Sequence, residues 1–185
     1  MGEAPTVYDS KEMYKKYMGF IEKNAENDLD IVTPFIDKTS AINLIAHLLK
    51  SGSSSSIHQL KQHVNDYLDG KQRAIRNIPR VDLYVRETEF NRLGGRLAKL
   101  LEDKLNCYLL PCFHCKWMAA NDGKRKNVFL TSANLLTNHM HPTDCYNHDI
   151  VHMVNMPKSK YEKNMLDKLP VSITFVTLQL ELMTL

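Results

Sequence analysis

The sequence predicts an α/β protein, a mixed β-sheet flanked by helices. Strand-like and amphipathic helical runs alternate through the first half of the chain, which is the pattern of strands joined by covering helices. Short apolar runs joined by a tight turn follow, which is the pattern of antiparallel hairpins. The composition is that of a folded domain: 185 residues, 43% hydrophobic, with only seven Gly and seven Pro. Collagen-like and Pro/Gly-rich disordered classes are excluded. A chain of this length fits one domain and buries about 70% of its unfolded surface without disulfide staples.

The elements follow in order. Residues 8–28 read as a helix, because Tyr14, Tyr17, Met18 and Ile21 recur at three- and four-residue spacing. The run Asp30–Asp37 is apolar between acids and reads as a buried strand that Pro34 brings to its end. Thr39 or Ser40 caps a helix over Ala41–Lys50, with Ile42, Ile45, Ala46 and Leu49 on one face. Ser51–Ser56 is a low-complexity loop, and a helix over Ile57–Arg73 follows. Val81–Val85 alternates like a strand. Glu89–Leu105 is amphipathic, interrupted by Gly94-Gly95. Cys107–Leu110, Phe113–Ala120, Val128–Thr131 and Ile150–Val154 read as strands, the middle pair joined by the turn Asn121-Asp122-Gly123-Lys124. Residues 158–168 read as a short helix and Val171–Leu182 as a last strand.

Charge and cysteine narrow the function classes. The 24 Lys+Arg against 21 Asp+Glu give a net charge of +3, which permits a nucleic-acid partner without requiring one. Four cysteines are too few for a disulfide framework, which points to a cytoplasmic or nuclear protein. Met1–Thr6 has no secretory pattern, though it fits the loose N-myristoylation motif and reads as an ordinary start. No apolar run approaches the roughly 20 residues of a membrane span.

The chemistry concentrates between Phe113 and Leu135. On a strand, residues i and i+2 share a face, so His114 and Lys116 point one way while Phe113, Cys115 and Trp117 point into the core. The antiparallel partner ends at Ser132 and Asn134, again i and i+2. An imidazole, an ammonium, a hydroxyl and a carboxamide then share one cluster, a set that suits a phosphoryl group. The turn carries Lys124, Arg125 and Lys126, which would track a phosphate backbone at the mouth of such a site. A second basic group is Lys71, Arg73, Arg76 and Arg80, read as solvated loop charge. A rival cluster is Cys107, Cys112, His114 and Cys115 with His139, His141, Cys145 and His148. It holds only one Cys-x-x-Cys pair, so the cysteines are read as small buried hydrophobes and no metal is assigned.

His-x-Lys, a short strand and Ser-x-Asn together resemble the phospholipase D superfamily, over the span from Asp30 to about Val154. The Thr131-Ser132-Ala133-Asn134 run is similar to its tyrosyl-DNA phosphodiesterase branch. The resemblance implies a helix over residues 1–29 before a phosphodiesterase domain over residues 30–185. It implies that His114 is a nucleophile forming a phosphohistidine, that Lys116 and Asn134 hold the phosphate, and that Ser132 assists. It also implies that Asp149 orients the imidazole. Two departures stand out. Asn121 sits where the family has an acid, with Asp122 one place later as a turn residue, and Thr131 stands where the family favours a small residue. Only one His-x-Lys occurs, so a twofold homodimer would supply the second histidine. The expectation is a metal-independent, cofactor-free phosphodiesterase acting on DNA or RNA. The alternatives are an inactive binding module on the same fold and a lipid phosphodiesterase.

Overall fold

A computed structural model describes residues 4–72, 74–75, 78–144 and 147–170. The chain opens with β1 (Thr6–Asp9) and α1 (Ser10–Asn24), where the sequence suggested a longer helix. Asp9 and Glu12 form a capping box: the Glu12 amide donates to Asp9 Oδ1 at 2.8 Å, which fixes where the helix starts. Next come β2 (Leu29–Val32) and α2 (Lys38–Lys50), the strand ending before Pro34 as expected. Asp37 caps α2 in place of Thr39 or Ser40, accepting from the Ser40 amide at 2.7 Å. Helix α3 (Ile57–Leu68) is shorter than its periodic pattern, because the chain turns at Gly70, with φ of 79°.

Strand β3 (Val81–Arg86) leads into two helices, α4 (Glu87–Asn91) and α5 (Gly95–Lys104), where one was expected. The break is at Gly94, whose φ of 85° lies outside any helix. Then follow β4 (Asn106–Leu110), β5 (Trp117–Asp122), β6 (Arg125–Thr131), β7 (His148–Pro157), α6 (Lys158–Asn164) and a 3₁₀ turn (Leu166–Lys168). The expected strand over Val171–Leu182 lies outside the described residues.

The described strands form one mixed sheet in the order β1-β7-β6-β5-β2-β3-β4. β2, β3 and β4 are parallel neighbours, while β5, β6 and β7 are antiparallel. Alternation sorts the two faces. Ile31, Leu83, Met118 and Phe129 join a large core with Met13, Tyr17, Ile21, Leu44 and Leu100 from the helices. Val32, Trp117, Ala119 and Val128 form a smaller core on the opposite face with Phe113 and Tyr161. Trp117 Nε1 donates to Tyr161 Oη at 3.0 Å, so α6 is both packed and hydrogen-bonded onto that face. Each fully buried large apolar side chain contributes roughly 1.5–3 kcal/mol, and Tyr17, Ile21, Ile31 and Leu44 are at or below 1% exposure. Among the described residues no helix is long and apolar enough to cross a membrane.

Candidate active site

His114 and Lys116 lie just before β5, in an irregular segment, whereas the sequence extended that strand back to Phe113. The segment is still held to the sheet: the Thr131 amide donates to the Lys116 carbonyl at 3.3 Å. Phe113 and Trp117 are buried as expected, but Cys115 is exposed, and so is Cys112. The reading of these two cysteines as buried hydrophobes is therefore corrected. Losing strand geometry before Trp117 frees Cys115 from the inward alternation.

Lys116 Nζ donates to the His114 carbonyl at 2.8 Å and sits 3.3 Å from His114 Nδ1. The Phe35 ring meets the His114 ring edge-on, with centroids 6.4 Å apart and planes at 78°. Burial holds the Lys116 ammonium below its usual value. Cys115 and Asp149 oppose that shift, and the Arg86 charge adds to it.

Strand β6 ends at Thr131, so Ser132 and Asn134 do not share a face as the alternation implied. Ser132 is exposed and Asn134 is 8% exposed. The Asn134 backbone is set by its neighbours. The Leu135 amide donates to Thr33 Oγ1 at 3.1 Å, and the Thr137 amide and hydroxyl donate to Asp37 Oδ2 at 2.5 and 2.7 Å. Asn134 Oδ1 is buried, with no hydrogen-bond partner among the described residues. An orphaned buried amide oxygen is unfavourable by about 1–3 kcal/mol.

Asp149 comes to the same end of the sheet, because β7 pairs Val151 with Thr131, two residues further on. Its carboxylate does not hold His114. It accepts from Ser132 Oγ at 2.6 Å and pairs with His139 Nδ1 at 2.8 Å. The proposed orienting of His114 by Asp149 is thus replaced by a Ser132–Asp149–His139 chain. Burial alone would raise the Asp149 carboxyl. The hydrogen bonds from His139 and Ser132, with the charges of His139 and Lys116, hold it below the ordinary value.

No protein-family model matches the chain, and no curated protein matches its sequence. Fourteen chains of solved structures do match. NucT from Helicobacter pylori superposes with a TM-score of 0.53 at 11% identity, over 95% of this chain and 100% of that one. The fold is phospholipase D-like. TrmBL2, an archaeal chromatin protein, aligns at a TM-score of 0.45 and 12% identity, over 90% of this chain and 50% of that one. A yeast tyrosyl-DNA phosphodiesterase aligns at 0.41 and 9%, over 81% and 31%.

On this phospholipase D-like sheet the turn residues fall away from the His-x-Lys end. The β5–β6 hairpin closes at Gly123-Lys124, and Asp122 faces Arg125 in the register. Six residues of strand separate that end from Lys116, about 20 Å at 3.3 Å each. Lys124 and Arg125 are exposed there, Arg125 bonded to Asn155 Oδ1 and, at 2.8 Å, to the Asn155 carbonyl. Lys126 is buried and paired with Asp30 at 2.8 Å, so it is a structural cation. Asp122 is an exposed turn-end residue that accepts from Asn127 and Asn155. The expectation that the turn projects beside the site is corrected: a hairpin puts its turn at the far end of its strands.

Among the described residues no group of three His, Cys, Asp or Glu side chains is placed to hold a metal ion. Cys145, Arg73 and Arg76 lie outside the described residues. The sequence reading missed Arg86, Phe35 and the pairing of His139. In the sequence His139 stands out only within the Cys/His cluster. Its closeness to Asn134 in the chain was the one available signal.

Proposed function

We propose that the chain is a metal-independent phosphodiesterase that cleaves nucleic acid through a phosphohistidine at His114. The observation that carries this is the Lys116 ammonium set against an exposed His114 imidazole at the end of the sheet where Asn134 lies. His114 Nε2 attacks phosphorus, forming the N–P bond as the P–O ester bond breaks, and the departing oxygen takes a proton. Water then attacks phosphorus, passing a proton to the group that protonated the leaving oxygen, and the N–P bond breaks to restore the imidazole. Lys116 and the Asn134 carboxamide stabilise the charge on the phosphoryl oxygens, which is what a bound cation would otherwise supply. Ser132 steadies Asp149, and with it the loop that carries Asn134. In a twofold homodimer, the His114 of a second copy donates the proton to the leaving oxygen.

The test is cleavage of DNA and RNA oligonucleotides in saturating chelator. An unchanged rate supports the reading. Loss restored by zinc would move the chemistry to a Cys/His metal site. No cleavage with retained binding would leave a binding module, and cleavage of a phospholipid alone a lipid enzyme.

Substrate length gives a second expectation. A strand running from His114 to the exposed Lys124 and Arg125 spans about 20 Å, or roughly six phosphates at 3.4 Å each. Affinity should rise with oligonucleotide length up to about that size. Replacing Lys124 and Arg125 by Ala should flatten the salt dependence by about 0.7–0.9 per lost contact. Salt titrations of a four-mer and a twelve-mer check this. Equal slopes for both lengths and both proteins would remove the hairpin from the substrate path.

A further inference from the structure

We propose that Arg86 is the positioning residue of this site: it fixes the His114 imidazole through the Phe113 carbonyl and the Phe35 ring, the task a carboxylate performs in other histidine sites. The proposal rests on the reading of His114 as the nucleophile. Asp149, the one acid brought to this end of β7, has both oxygens engaged by Ser132 and His139. Among the described residues His114 has no carboxylate hydrogen-bond partner.

Arg86 ends β3, and its guanidinium reaches across 27 positions of sequence to the residue before His114. Nε and Nη2 both donate to the Phe113 carbonyl, at 2.9 and 2.5 Å. The guanidinium carbon also lies 4.6 Å from the Phe35 ring centroid. Phe35 in turn meets the His114 ring edge-on. One planar cation therefore fixes the backbone before the nucleophile and the aromatic ring beside it. The segment needs such a clamp, because from Pro111 to Cys115 it has no strand partner among the described residues. Its other restraints are the buried Phe113 ring and the Thr131–Lys116 backbone bond. A planar guanidinium can grip one carbonyl with two parallel N–H groups and stack on a ring at once, whereas an ammonium does neither in this geometry.

Arg86 also acts on Lys116 through its charge. Facing Lys116 are His114 and Cys115 from its own segment, Arg86 from β3, Asp149 from β7 and Lys168 from the 3₁₀ turn, which lines the same cavity. Arg86 presses the Lys116 ammonium in the same direction as burial does.

The experiment compares Arg86→Gln, Arg86→Lys and His114→Asn in kcat, KM and the alkaline limb of the rate profile. Arg86→Gln should lower kcat about 10- to 100-fold with little change in KM, since a misplacement near 1 Å costs about that much. It should also move the alkaline limb to higher pH, because Lys116 loses a repelling neighbour. Arg86→Lys keeps the charge, so the limb should stay in place while kcat falls. A merely structural Arg86 would lower the melting temperature and leave the limb where it was. Should Arg86→Gln fail to fold, Arg86→Lys decides alone, and a native kcat there would overturn the proposal. An inactive His114→Asn beside a fully active Arg86→Gln with an unmoved limb would sink the Arg86 assignment only. An active His114→Asn would sink the nucleophile reading itself.

Discussion

His114→Asn should abolish phosphodiester cleavage and leave the fold untouched. The imidazole is exposed, and its contacts are the Lys116 ammonium at 3.3 Å and the edge of Phe35. No core packing depends on it, so stability should change by less than about 0.5 kcal/mol. The carboxamide has neither the nucleophilic ring nitrogen nor the basicity needed to form an N–P bond. Losing the covalent step should cost on the order of 10⁴- to 10⁶-fold in kcat, as removal of a nucleophile does in other covalent enzymes. Binding should persist, because Lys116 and Asn134 remain. The check is single-turnover cleavage beside oligonucleotide binding and thermal melting. Turnover within about tenfold of the native protein would remove His114 from the chemistry.

Much of the scaffold could be read from local pattern, because the signals involved are local. Val81–Val85 alternates and becomes β3 with Val81, Leu83 and Val85 buried. Pro34 marks the end of β2, and Gly94-Gly95 marks the gap between α4 and α5. The hairpin after Asn121 forms around Gly123, whose φ of 60° supplies the first position of the two-residue turn. The spacing of His114, Lys116 and Asn134 is local as well, and the start of β5 beside the end of β6 brings that sequence pattern to one end of the sheet.

What was not legible depends on long-range partners. Asp149 could be placed at the site, but its choice of His139 over His114 depends on how the loop after Asn134 returns to β7. Arg86 meets Phe113 only because the end of β3 and the segment leading into β5 lie at the same end of the sheet, on either side of β2. The run Lys124-Arg125-Lys126 reads as uniform surface charge. Pairing of Lys126 with Asn121 across the hairpin turns its side chain inward, toward Asp30 nearly a hundred residues away. Three consecutive residues of a strand cannot all share one face, and nothing in the run itself says which are turned inward.

That internal cation carries the second large effect. Lys126 is 7% exposed and Asp30 is 5% exposed. Lys126 Nζ donates to Asp30 Oδ2 at 2.8 Å and to the Asp28 carbonyl at 3.0 Å, and lies 5.4 Å from the Tyr161 ring centroid. Burial pushes the Asp30 carboxyl up, while the hydrogen bond and charge of Lys126 pull it down. Lys126→Ala therefore leaves a buried carboxylate with its main counter-charge gone, a loss of about 3–5 kcal/mol at neutral pH. The sign with pH follows. A carboxyl raised in the folded state weakens folding as pH climbs from its unfolded value through its folded one. Removing Lys126 raises it further, so the variant's deficit should be largest near pH 7 and shrink toward pH 4, where Asp30 takes up a proton in the fold. Urea unfolding at both pH values measures this, and a deficit below about 1 kcal/mol at pH 7 would refute the buried pair. Pairing Lys126→Met with Asp30→Leu should recover most of the loss, because an apolar pair needs no counter-charge. Oligonucleotide binding by the recovered protein then separates the two roles of the basic run. Its salt slope should equal that of the native protein, since Lys126 faces Asp30 and not phosphate, whereas loss of Lys124 and Arg125 should flatten it.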